Sequence, residues 1–145
     1  MDSLVKFSCD ITSTDFDIPL SLEIWLDDQC IFEKYHVRQP ITFVHEFPDT
    51  DAEHQLRFVM KNKRAEHTRI DQDGNIVSDA CLKISSVCFD EIMLEHMFTE
   101  LAEYTHDFNG TGPATQDKFF DTFGCNGTVT LNFTTPVYLW LLENL

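Results

Sequence analysis

Apolar residues recur at every second position over long stretches of this chain, and that period constrains the fold more than any other feature. Val5, Phe7, Cys9 and Ile11 form one run, Leu20, Leu22, Ile24 and Leu26 a second, and Ile41, Phe43, His45 and Phe47 a third after Pro40. Leu56, Phe58 and Met60 continue the pattern within EHQLRFVMKNK, and Val129, Leu131 and Phe133 resume it near the end. Successive side chains of a strand point to opposite faces, so a period of two gathers one apolar face only in extended backbone. The polar step Asp27-Asp28-Gln29 between residues 20–26 and 30–37 reads as a hairpin connection, and IDQDGNIVSD reads as a turn in which Gly74 adopts positive φ without a steric cost. ACLKISSVCFDEI returns as a strand, with Ser85-Ser86 a bulge where the apolar parity slips. Strands at spacings of roughly ten residues without intervening helices predict an antiparallel β-sandwich or jelly roll of about seven to nine strands, one domain over residues 1–145.

Two segments depart from the period. Met93, Met97, Leu101 and Tyr104 fall at i, i+4, i+8 and i+11, the stripe of a short amphipathic helix near residues 91–104. Residues 137–142 are almost continuously apolar and are expected to form a buried strand, with a terminal helical turn as the alternative.

Composition narrows the function classes. With 145 residues and 43% hydrophobic content, the chain can bury a core without metals or disulfides. Its formal net charge of −15 disfavours nucleic acid as a partner, because duplex affinity rests on neutralising phosphates. No segment approaches the roughly 20 apolar residues of a membrane-spanning helix, and MDSLVKFSCDITSTDFD lacks a basic start followed by an apolar run, so neither a membrane nor a secretory route is expected. The five cysteines (Cys9, Cys30, Cys81, Cys88, Cys125) show no CxxC spacing and read as buried thiols.

IDQDGNIVSDACLKI, YTHDFNG and GCNGTVTLNFTTPVYLWLLENL resemble a family of small uncharacterised proteins encoded by tailed phages that infect cyanobacteria. The resemblance implies a noncatalytic virion component, made in the host cytoplasm, on head or tail, with other virion proteins or copies of itself as partners. LEIWLDDQCIFEKYHV, ITFVHEFPDTDAEHQLRFVMKNK and LKISSVCFDEI are similar to the calcium-dependent xylan-binding modules. Those modules are compact sandwiches that hold sugar through a calcium ion, so this second likeness implies binding of a host polysaccharide. It departs from their pattern in offering no alignable calcium loop.

Candidate site residues follow. Asp71, Asp73, Asn75 and Asp79 occupy relative positions one, three, five and nine, as ligands of a calcium (Ca2+) loop do. Gly74 at the fourth place, Ile76 at the sixth and Leu82 at the twelfth break that pattern, so a solvated hairpin turn competes with the metal reading. Trp25, Tyr104, Asp107, Asn109 and Asn126 could form a sugar platform of aromatic faces beside amides and carboxylates. THDFNG and CNGT also read as structural corners bracing residues 107–126, with Phe119, Phe120 or Phe123 packed beneath. His106 with Asp107 and Cys125 would supply the parts of a thiol nucleophile, but no phosphate loop, HExxH or GxSxG motif accompanies them, and no enzyme activity is expected. Finally, Pro136, Tyr138 and Trp140 lie in the apolar chain end, where an unpaired edge strand would dock on another subunit.

Overall fold

The computed structural model describes residues 3–144. In chain order it runs β1 (Leu4–Ser13), β2 (Ser21–Leu26), β3 (Gln29–Lys34), β4 (Ile41–Pro48), β5 (Ala52–Lys61), β6 (Thr68–Ile70), β7 (Ile76–Asp79), β8 (Leu82–Phe89) and β9 (Ile92–Met93). Then come α1 (His96–Leu101), β10 (Glu103–His106), β11 (Thr115–Lys118), β12 (Thr122–Phe123), β13 (Gly127–Thr135) and α2 (Val137–Glu143). The strands form a five-stranded sheet, β12-β8-β1-β4 with β9 on β8, and a six-stranded sheet, β11-β10-β13-β5-β2-β3. β6 and β7 pair only with each other.

The alternating runs become the facing surfaces of an antiparallel sandwich. Val5, Phe7, Cys9 and Ile11 from one sheet and Leu22, Ile24, Leu56, Phe58 and Met60 from the other are all at most 1% exposed. Phenylalanines bridge the layers: Phe7 meets Phe58 at 6.1 Å between ring centroids, and Phe89 meets Phe133 at 4.7 Å. Each such ring removed from water contributes about 1.5–3 kcal/mol, and together they offset the ordering of the long strands. The bulge also forms: the β1–β8 register slips between Ser8 and Asp10, and Ser86 takes φ 52°.

Thirteen strands are found among the described residues, more than the periodicity counts. Seven strands have six residues or more and match the alternating runs. The others have two to four residues, too short to show a period.

The first non-alternating segment differs from expectation, and the second takes the alternative to the expected strand. The helix at 91–104 shrinks to His96–Leu101, because Asp90 and Glu91 at φ 52° and 69° make a tight turn that returns Met93 to pair with Cys88. Tyr104 belongs to β10, and Phe98, not the Met93–Leu101 stripe, is the helix's buried residue. Residues 137–143 are helical rather than a strand. Pro136 has no N–H for a ladder, the Val137 N–H donates to Asp49 Oδ1 at 2.9 Å, and Val137, Trp140 and Leu141 turn inward at i, i+3 and i+4.

Candidate functional site

The chain end, expected to dock through an edge strand, forms the helix α2 instead. α2 lies across the end of the sandwich where Trp140 inserts against Phe89 and Phe133, each at 6.0 Å, so Trp140 is a core residue with 5% exposure. Pro136 is exposed at the start of the helix, and Tyr138 faces out. Between α2, α1 and β9 opens a groove of about 630 Å³. Ile92, Met93, Leu101, Tyr138 and Leu142 line it, and they are 37–66% exposed. Glu95 and Glu100 also line it, with no Lys or Arg. The Tyr138 hydroxyl is raised above its ordinary pKa by its hydrogen bond to Asp90. Of the three chain-end residues, Tyr138 alone lines the groove. Leu142 also comes from α2, Ile92 and Met93 come from β9 and Leu101 from α1, and Met93 and Leu101 are exposed where the expected longer helix is broken.

The calcium-loop residues do not converge. Asp71 Oδ1 accepts the backbone N–H groups of Asp73 and Asn75, each at 2.9 Å, and the bond from Asn75 leads those that lower its pKa. Asp79 is at the far end of the β6–β7 hairpin, paired with Thr68. Its Oδ1 meets the Lys63 ammonium at 2.5 Å and the Thr68 hydroxyl at 2.6 Å. Burial alone would raise the Asp79 carboxyl, and these bonds outweigh it and lower the pKa. Among the described residues no three His, Cys, Asp or Glu side chains are grouped to hold a metal ion. The hairpin-turn reading accounts for Asp71, and the Lys63 ion pair accounts for Asp79.

The aromatic and amide residues behave mainly as braces. Tyr104 is 7% exposed, so it presents no stacking face, and its hydroxyl donates to Cys125 O while accepting from Cys125 N at 3.0 Å. Burial raises its pKa. Asp107 Oδ1 accepts from Gly110 N at 2.8 Å, and Asn109 Oδ1 accepts from Asn126 N at 2.8 Å. Asn126 in turn accepts from Lys63 N and donates to Lys63 O, both at 2.9 Å. Phe119 and Phe123 are fully buried beneath this loop, whereas Phe120 is 76% exposed. Gly127 is required by crowding, since a Cβ there would stand 2.4 Å from Thr105 O.

Trp25 faces outward on the six-stranded sheet, with the Arg57 guanidinium 5.5 Å from its ring and its indole N–H on Glu23 at 2.9 Å.

The thiol constellation is not assembled. His106 Nε2 bonds to Asp117 at 2.8 Å instead of to Asp107, a partner supplied by the β10–β11 pairing. Burial pushes the Cys9 thiol up to about 12, that of Cys81 to about 11, and that of Cys125 upward, the direction that suppresses thiolate. No helix among the described residues is long and apolar enough to cross a membrane. Compared with known family models, curated proteins and solved structures, the chain matches none.

Proposed function

We propose that this protein is a noncatalytic structural subunit of a phage particle, which docks on neighbouring subunits through the groove between α1 and α2. The observation that carries the docking role is the apolar lining of Ile92, Met93, Leu101, Tyr138 and Leu142 left open to solvent. Contiguous exposed apolar surface on a soluble protein marks an interaction site. The particle setting rests on the likeness of YTHDFNG and the chain end to small cyanophage proteins. Mass spectrometry of purified particles tests it: the wild-type chain is expected in virions and the Leu142→Asp chain is expected to be lost from them. Absence of the wild-type chain from particles that retain their other structural proteins overturns the proposal.

A second reading, binding of host polysaccharide, is favoured by one row of residues. Trp25 pairs with Arg57 and Arg57 with Thr130, so an outward aromatic adjoins a polar sheet face. Titration of Trp25 fluorescence with host polysaccharide tests it; no change at saturating sugar removes this reading.

A further inference from the structure

The groove has a counterpart on the same chain. β6 and β7 form a hairpin apart from both sheets, and its Ile70, Ile76 and Val77 are 63–67% exposed. Ile70 and Ile76 face each other across the ladder, and Val77 is the extra residue where the register slips. Arg69 adjoins them, exposed and without an ion-pair partner among the described residues. A short hairpin gains little by displaying three large aliphatic side chains to water, since each loses its transfer free energy there.

Groove and hairpin lie at opposite ends of the same two strands. At one end Asp90 N donates to Lys6 O, directly before β9 and the groove. At the other, Thr14 N donates to Cys81 O and the Thr14 hydroxyl to Asp79 O, at the root of the hairpin. The ten residues of β1 separate the two ends by roughly 30 Å. The charges complement each other as well: Glu95 lines the groove without an ion-pair partner among the described residues, opposite in sign to Arg69.

We infer that copies of this chain join head to tail, the β6–β7 hairpin of one copy seating Ile70, Ile76 and Val77 in the α1–α2 groove of the next with Arg69 beside Glu95. This rests on the docking role of the groove and names its occupant. Such a contact joins two different patches, so it leaves a free hairpin at one end and a free groove at the other and propagates into a ring or filament. The small apolar area makes each contact weak, and repetition along a particle surface raises its effective strength.

Sedimentation velocity of the full chain, from roughly 1 μM to roughly 1 mM and at about 0.15 M salt to screen the net charge, reads the outcome. Wild-type protein is expected to form species larger than dimers. Ile76→Asp and Leu142→Asp, both exposed positions, are each expected to remain monomeric, with unchanged circular dichroism confirming the fold. An equimolar mixture is expected to form dimers and stop there, because it holds one intact hairpin and one intact groove per pair. The inference is overturned if the wild type stays monomeric throughout, if either variant assembles as the wild type does, or if the mixture stays monomeric. A monomeric wild type whose Leu142→Asp variant is lost from particles overturns self-pairing alone and leaves the groove docking on another subunit.

Discussion

The two ends of the β1–β8 pair are finished by opposite means. At the hairpin end the closure is polar: Lys63 is 4% exposed, its ammonium is held by Asp79 and by Gly124 O at 2.6 Å, and its backbone is clasped by Asn126. At the groove end the closure is apolar, with Trp140, Phe89 and Phe133 packed under α2. Directional bonds at the first end set the angle at which β6 and β7 leave the sandwich. Non-directional packing at the second fills the interior and leaves apolar surface over. The difference shows how one chain can carry a bonded projection and an apolar recess on the same core.

Removing the keystone of the apolar end should have the largest effect. Phe89→Ala is expected to cost about 3–5 kcal/mol in chemical denaturation, as a buried ring contacting Phe7, Phe47, Phe133 and Trp140 leaves a cavity. A loss under about 1 kcal/mol would mean that α2 collapses onto the vacated space and that Phe89 is not the keystone of this end.

The polar end should respond somewhat less to Lys63→Ala, at about 3 kcal/mol, because the substitution strands Asp79 and Gly124 O without their cation. Hydrogen exchange should then speed selectively in β6 and β7; uniform acceleration across the sandwich would show that the network stabilises the whole fold and not the hairpin's root. The same network gives the ends different pH responses. The Asp79 carboxyl has a lowered folded-state pKa, so its contribution is complete above the ordinary carboxylate value of about 4 and is lost as pH falls through the lowered value. Wild-type protein should therefore lose stability in that acid window, and Asp79→Asn should flatten that part of the profile. An unchanged slope would remove Asp79 from the account.

Smaller effects sharpen the contrast. Asn109→Ala should lower stability by about 1 kcal/mol through the loss of its bond to Asn126 N; an unchanged melting temperature with lost particle incorporation would make this corner a site. Leu142→Asp, on the groove's exposed wall, should shift stability by no more than about 0.5 kcal/mol, and a large loss would show that Leu142 belongs to the core.

Much of this architecture was legible because burial on one face of a strand leaves a local record. Phe7, Ile24, Phe58 and Leu131 declare their faces within a few residues of themselves, and Asp71, Gly74 and Asn75 declare a turn by backbone chemistry alone. The α2 helix was readable too, from Pro136 and the i, i+3, i+4 spacing of Val137, Trp140 and Leu141. Near-continuous hydrophobicity over residues 137–142 hid that spacing, because such a run satisfies both periods. The Asp90-Glu91 turn left a weaker trace, since neither residue is Gly or Asn, and it took half of the expected α1 with it.

The sequence by itself determined which residues of the long alternating strands are core and that the chain is a sandwich of antiparallel strands, and it offered THDFNG and CNGT as corners beside a site reading; it did not show that Tyr104 and Trp140 are buried. Tertiary structure alone decided that Lys63 is buried against Asp79, that His106 takes Asp117 as its partner, and that Met93, Leu101 and Tyr138 share one groove. The physical reason is range. Periodicity and turn chemistry act over a few residues, whereas Lys63 with Gly124 and Asn126, or Met93 with Tyr138, are joined only after the sheets have paired and both ends of the sandwich have closed.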